Sequence, residues 1–163
     1  MHKTARNHAR RALEALRTRG LTLVTAESLT GGLIGATLTA IPGSSDSYWG
    51  GVVSYSVAAK ISLLGVPGAT IDRCGVVSAD TASAMASGAL EASGADVSVA
   101  VTGVAGPSGG SEETPVGTVF LACCLRGKNP LVQRLVFRGS RERVRARTVE
   151  AALTMVADCL DRN

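Results

Sequence analysis

Residues 21–40 read LTLVTAESLTGGLIGATLTA, and this stretch decides the fold class. Its apolar start, 21–25, predicts a short strand, and its small and apolar end, 31–40, predicts a buried helix. The turn between them leaves the carboxyl end of a strand and enters the amino end of a helix, which is where open α/β sheets bind ligands. The free N–H groups at this helix start favour the binding of an oxyanion or a phosphate, and the alternative interpretation is that Ser28 or Thr30 simply caps the helix.

The same alternation of strands and helices continues on both sides of that stretch. Further helices are predicted over 3–19, 57–65, 79–93 and 144–160, and further strands over 49–56, 97–102, 116–125 and 131–137. The last two strands are separated by a turn short enough for a hairpin. This order predicts a three-layer α/β/α sandwich around a mixed, mostly parallel sheet of about five strands, completed by a C-terminal hairpin and helix. The chain has 163 residues, so we expect 1–163 to form a single domain.

Composition and charge exclude several classes of protein. Hydrophobic residues make up 45% of the chain, enough for a folded core. No apolar run reaches the roughly 18 residues that a membrane-spanning helix needs. The N-terminus also lacks the apolar stretch of a signal peptide, so we expect a cytoplasmic protein without a membrane partner. Aromatic residues make up only 3%, which disfavours the base stacking used in nucleic-acid binding, and we expect no nucleic-acid partner.

The chemistry-bearing residues exclude several catalytic designs. The only histidines are His2 and His8, and the four cysteines lack a CxxC spacing, so we expect no metal site and no Ser-His-Asp or Cys-His machinery. Dinucleotide-binding and P-loop glycine patterns are absent, and we expect no cofactor. Residues 106–110 match the G-x-S-x-G pattern of hydrolases, but a strand rather than a helix follows, and no histidine comes later. We therefore reject that assignment.

Three other features have two interpretations each. Lys60 is either a surface charge or, beside a serine in a dry pocket, a neutral base. The glycine-rich loop after Thr102 is either a ligand-approaching loop or a tight turn. Basic residues cluster in 1–19 and 126–147, within a net charge of +4, and form either solvated helix faces or an anion site.

Five motifs together resemble the CinA C-terminal domain family, the nicotinamide-nucleotide amidohydrolase (NMN deamidase) family. They are TAESLTGG (25–32), GSS (43–45), VVSYSVAAK (52–60), VSVAVTGVAGPSGGSEETPVGT (97–118) and FRGSRERVR (137–145). The resemblance implies a metal-independent hydrolysis of the carboxamide of nicotinamide mononucleotide (NMN), which gives nicotinic acid mononucleotide and ammonia in pyridine nucleotide salvage. It also implies a homo-oligomer.

The resemblance assigns roles to individual residues. It implies Ser28 as the nucleophile and Lys60 as the base, with Tyr55 orienting the pair. Backbone donors for the oxyanion are expected near Gly31, Thr102 and Gly103. The groups expected to hold the nucleotide phosphate are Gly106, Gly109, Gly110, Arg141 and Arg145.

Three positions depart from the pattern of that family. Leu29 stands where cysteine is frequent, Val57 where asparagine often follows Tyr-Ser, and Ser108 where aspartate is common. None of them removes the implied nucleophile or base, although Val57 affects the expected turnover or substrate choice. Two other functions stay open: a catalytically silent nucleotide-binding or interaction domain linked to competence or DNA damage, and a hydrolase of another phosphorylated amide.

Overall fold

The 21–40 segment forms a strand, a turn and a helix, as its sequence predicts. In the structure, a computed structural model that describes residues 3–162, strand β1 is Leu23–Glu27 and helix α2 is Leu33–Thr39. The strand begins and ends later than the apolar pattern predicts, because neighbouring strands pair with it on both sides up to Glu27. This charged residue tolerates a buried strand position because backbone amides satisfy its carboxylate.

The remaining elements follow the predicted order closely. They are α1 (Lys3–Arg17), β2 (Tyr48–Val53), α3 (Val57–Leu64), α4 (Gly68–Cys74), α5 (Ala79–Ser93), β3 (Val97–Gly103), β4 (Thr118–Leu125), β5 (Leu131–Val136) and α6 (Arg141–Asp161). The pattern does not predict α4 or the 3-10 turn Ser44–Asp46. Helix α4 has seven residues and buries only Ile71, so it shows no helical period in the sequence.

The sheet has five strands in the order β2-β1-β3-β4-β5. Strand β1 pairs in parallel with β2 and with β3, while β4 pairs antiparallel with both β3 and β5. Only β4 therefore runs against the other four strands. This topology confirms the mixed, mostly parallel sheet and the C-terminal hairpin of β4 and β5.

Helices cover both faces of the sheet and complete three layers. Helices α1, α2 and α6 pack on one face, and α3, α4 and α5 pack on the other. The adjacent residues Cys123 and Cys124 belong to opposite clusters, since side chains alternate along a strand. None of the helices in residues 3–162 is long and apolar enough to cross a membrane.

Strand order and helix caps together position the functional groups. The chain leaves β1 toward β2 on one side and later returns to β3 on the other, so the carboxyl ends of β1 and β3 flank a topological switch point. Ser56 begins α3 by accepting a hydrogen bond from the Ala59 amide, and this start turns Lys60 inward. Ser140 begins α6 in the same way, which places Arg141 and Arg145 at the switch point.

Candidate active site

A pocket of about 220 Å³ opens at the carboxyl ends of β1 and β3. Its polar groups come from Ser28, Tyr55, Thr102 and Arg141, and its apolar walls from Leu29, Val76, Val77 and Ala105. Two segments that follow strands contribute to its lining. We call them the β1 turn (residues 28–32) and the β3 loop (residues 103–110).

Lys60 and Ser28 meet beside this pocket. Lys60 Nζ donates a hydrogen bond to Ser28 Oγ at 2.9 Å, although the residues are 32 positions apart. The same Nζ donates to the carbonyl of Ser54 at 2.8 Å and to that of Tyr55 at 3.3 Å. Lys60 is fully buried and Ser28 is 7% exposed. The structure thus places a buried amine against a hydroxyl that borders a pocket.

Burial lowers the pKa of Lys60 from 10.5 to about 8. Within residues 3–162 no carboxylate pairs with the amine, so nothing of opposite charge offsets the loss of hydration. At pH 7 roughly a tenth of the molecules then carry a neutral amine at this position. A neutral amine can take the proton of the neighbouring hydroxyl, whereas an ammonium cannot.

Glu27 caps helix α2, a role that sequence analysis missed. Its carboxylate accepts hydrogen bonds from the amides of Gly32 at 3.0 Å, Ile34 at 3.0 Å and Gly35 at 2.8 Å. The structural N-cap, Gly32, has no side chain to do this. Neither Ser28 nor Thr30 caps the helix, so that interpretation is wrong. A carboxylate just before a helix start was the available signal, since negative charge stabilises helix N-termini.

Arg145 contacts the β1 turn and does not line the pocket. Its Nε donates to the carbonyl of Leu29 at 3.0 Å, and its Nη2 donates to that of Thr30 at 2.9 Å. Its side chain is half-buried. One of the two arginines expected to hold a phosphate is therefore bonded to the backbone that follows Ser28.

Arg141 lies at the pocket and joins its two sides. Its Nη1 donates to the carbonyl of Gly106 at 3.0 Å, and its Nη2 donates to Tyr55 Oη at 3.0 Å. The Tyr55 hydroxyl thus contacts Arg141, while only the Tyr55 carbonyl contacts Lys60. Tyr55 therefore contacts Lys60 through its backbone carbonyl, and its exposed side chain lies at the pocket.

One of the backbone donors expected for an oxyanion already has an acceptor within the fold. The Gly31 amide donates to the carbonyl of Ser28 at 3.0 Å, so it is already used inside the turn. The Thr102 hydroxyl donates to the carbonyl of Val76 at 2.9 Å. By contrast, the amides of Leu29 and Thr30 have no acceptor in the described part of the chain. These two amides are therefore the donors left in the β1 turn for an oxyanion.

The glycines of the β3 loop are explained by packing. A Cβ at Gly103 would lie 2.6 Å from the carbonyl oxygen of Thr118, and one at Gly110 would lie 2.7 Å from the amide nitrogen of Val116. A Cβ at Gly106 would overlap the Val116 side chain. Gly109 faces open space with a φ of +90°. Internal packing therefore explains most of these glycines, and Arg141 links the loop to Tyr55 at the pocket.

Fold and site together define a three-layer α/β protein with a buried serine–lysine pair at a topological switch point. The sequence pattern of the CinA C-terminal domain matches residues 5–160, so the chain belongs to this family. The family resemblance found in the motifs is thereby confirmed.

Curated relatives are longer than this chain. A CinA-like protein of Geotalea daltonii is 54% identical over 135 residues, which cover 82% of this chain and 32% of the relative. A CinA-like protein of Citrifermentans bemidjiense is 51% identical over 138 residues, which cover 85% of this chain and 33% of the relative. The chain thus spans about a third of the length of the curated relatives it matches.

Solved structures share the whole fold. The competence/damage inducible protein CihA of Agrobacterium tumefaciens is 43% identical with a TM-score of 0.94, and the match covers 99% of this chain and 98% of that one. A CinA superfamily protein of Klebsiella pneumoniae is 37% identical with a TM-score of 0.93, and the match covers 98% of this chain and 99% of that one. These names describe a competence and damage response and state no reaction.

Proposed function

We propose that this chain is a metal-independent amidohydrolase that converts NMN and water into nicotinic acid mononucleotide and ammonia. The observation that carries the proposal is the buried Lys60 amine at 2.9 Å from Ser28 Oγ, at the edge of a pocket. Burial brings the pKa of this amine to about 8, within reach of a base that works near neutral pH.

The first half of the reaction forms an acyl-enzyme. Neutral Lys60 takes the proton of Ser28, and Oγ bonds to the carboxamide carbon. The carbonyl oxygen becomes an oxyanion near the Leu29 and Thr30 amides. The intermediate collapses when the C–N bond breaks and Lys60 returns the proton to the departing ammonia.

The second half reverses these roles. A water molecule gives a proton to Lys60 and attacks the ester carbon, and the C–Oγ bond breaks as Ser28 recovers the proton. Each time Lys60 is charged, the carbonyls of Ser54 and Tyr55 accept hydrogen bonds from the ammonium. These carbonyls lower the cost of the charged state without a counter-ion, so the amine can cycle between both forms.

Pocket size and lining support a substrate of this shape. A pocket of about 220 Å³ suits the pyridine ring with its carboxamide, leaving the ribose and phosphate at the mouth. Leu29, Val77 and Ala105 offer apolar walls to a flat ring. Arg141 stands at the mouth, where it can meet the phosphate as a bidentate partner.

The competing function is a catalytically silent nucleotide-binding domain of the competence or damage response. The names of the solved relatives support only its link to competence and damage. A hydrolase of another phosphorylated amide is the third candidate. The expectations of a cytoplasmic location, a single domain and a homo-oligomer stay predictions.

An ammonia-release assay on NMN separates these functions. We expect release by the wild-type chain and its loss in both Ser28→Ala and Lys60→Ala. Saturable nucleotide binding without release would support the silent domain. Release that persists in both variants would discard the serine–lysine mechanism and keep the enzyme class.

A further inference from the structure

Arg145 donates hydrogen bonds to two successive backbone carbonyls immediately after Ser28. Its Nε and Nη2 donate to Leu29 O and Thr30 O at 3.0 and 2.9 Å. A guanidinium is planar, so two such bonds fix both the position and the tilt of the backbone they hold. The Glu27 carboxylate in turn accepts hydrogen bonds from the amides of Gly32 and Ile34 at the start of α2. The β1 turn is therefore held between an arginine and a glutamate.

The bonds from Arg145 fix the directions of the Thr30 and Gly31 amides. In a trans peptide, a carbonyl and the N–H of the next residue point in opposite directions. Because Arg145 holds the Leu29 carbonyl, the Thr30 amide points away from Arg145. The Gly31 amide closes the turn on the Ser28 carbonyl at 3.0 Å. Within residues 3–162, the Leu29 and Thr30 amides are left without an acceptor.

We propose that Arg145 is a positioning residue for the β1 turn. By holding the carbonyls of Leu29 and Thr30, it keeps Ser28 Oγ beside Lys60 and directs the Thr30 amide toward the oxyanion, while the bond from the Gly31 amide to the Ser28 carbonyl directs the Leu29 amide. The inference rests on the proposed role of Ser28 as the nucleophile. On this proposal Arg145 does not bind the phosphate, and Arg141, which lines the pocket, is the arginine that does.

Kinetics with two substrates tests this assignment. Nicotinamide riboside carries the same carboxamide as NMN and lacks the phosphate. We expect Arg145→Gln to lower kcat about 100-fold for both substrates while KM changes little, because misplaced reacting groups cost rate rather than affinity. A higher KM for NMN alone, with kcat unchanged, would overturn the proposal and make Arg145 a phosphate ligand.

A covalent probe tests the same point without the natural substrate. A small fluorophosphonate reacts with activated serines: an Oγ–P bond forms, fluoride leaves, and the serine proton passes to the base. We expect Arg145→Gln to slow labelling of Ser28 about 100-fold. Arg145→Lys should label at an intermediate rate, since a lysine cannot reproduce the planar fork that binds both carbonyls. Labelling of Arg145→Lys at the wild-type rate would contradict the proposal even if Arg145→Gln fails to fold.

The matched control is Arg147→Gln, an exposed arginine on the same helix. It should label and turn over like the wild-type chain. If the wild-type chain releases no ammonia from NMN but Ser28 labelling still depends on Arg145, the proposed substrate is wrong and the positioning role stands. If Ser28 in the wild-type chain is not labelled at all, the positioning role is overturned.

Discussion

The β1 turn and the β3 loop follow neighbouring parallel strands and share a composition of glycine, serine and small residues. Different interactions nevertheless fix their conformations. In the β1 turn, Glu27, Lys60 and Arg145 satisfy polar groups one by one. In the β3 loop, the glycines permit close backbone packing against Thr118 and Val116. Similar composition after a strand therefore does not identify the reactive segment, whereas the charged partners that converge on it do.

The largest expected effect compares one serine from each segment. Ser28→Ala should reduce ammonia release from NMN by about 1,000-fold or more, since it removes the nucleophile. Ser108→Ala, in the exposed part of the β3 loop, should stay close to the wild-type rate. Initial rates at saturating NMN measure both. Equal losses in the two variants would remove the distinction between the segments.

Replacing a glutamate next to each of the two segments should affect the free energy of unfolding to different extents. Glu27→Ala leaves three amides at the start of α2 without their acceptor, and we expect a loss of about 3 kcal/mol in the free energy of unfolding. Glu112→Ala, exposed just beyond the β3 loop, should change it by less than about 0.5 kcal/mol. Urea denaturation provides both values. A Glu27→Ala variant as stable as the wild-type chain would show that the carboxylate does not hold the turn.

The buried amine beside the β1 turn should give stability a characteristic pH dependence. Lys60 has a pKa of about 8 in the folded chain, whereas the ordinary pKa of a lysine is 10.5, so between these values the unfolded chain binds more protons. Stability from this group therefore rises with pH across that window. Relative to Lys60→Met, the wild-type chain should gain about 2.5 kcal/mol between pH 8 and 10.5. Denaturation of both proteins at each pH gives the difference between their free energies of unfolding, in which the contributions of the other titratable groups cancel. A difference that stays constant with pH would contradict the lowered pKa of the buried amine.

The smallest predicted effect is on the reaction rate. Because neutral Lys60 is the base, kcat/KM for NMN should rise about tenfold from pH 7 to pH 9 and level off above the pKa of about 8. Initial rates at low NMN concentration, measured across this range in buffers of equal ionic strength, give the profile. A flat profile with chemistry limiting would contradict a lysine base.

Sequence reasoning succeeded where the signal is local. Periodicity placed α5 at 79–93 as the structure has it, and the short turn before Leu131 predicted the β4–β5 hairpin. It was wrong where residues distant in sequence determine the local structure. Strand β1 extends to Glu27 because two neighbouring strands pair with it up to that residue. One of its two interpretations of Ser28 and Thr30 made them the cap of α2, since these residue types usually cap, whereas the buried carboxylate of Glu27 does this.

By itself, the sequence determined the three-layer fold and the family, because hydrophobic periodicity and ordered motifs are properties of neighbouring residues along the chain. It also supplied Ser28 and Lys60 as a pair through the family resemblance. Only the tertiary structure decided that the lysine is buried with no counter-charge among residues 3–162. It also decided that Arg145 bonds the backbone of Leu29 and Thr30, while Arg141 lines the pocket. Hydration and hydrogen bonding depend on groups that folding brings together from distant positions, so a linear pattern cannot contain them.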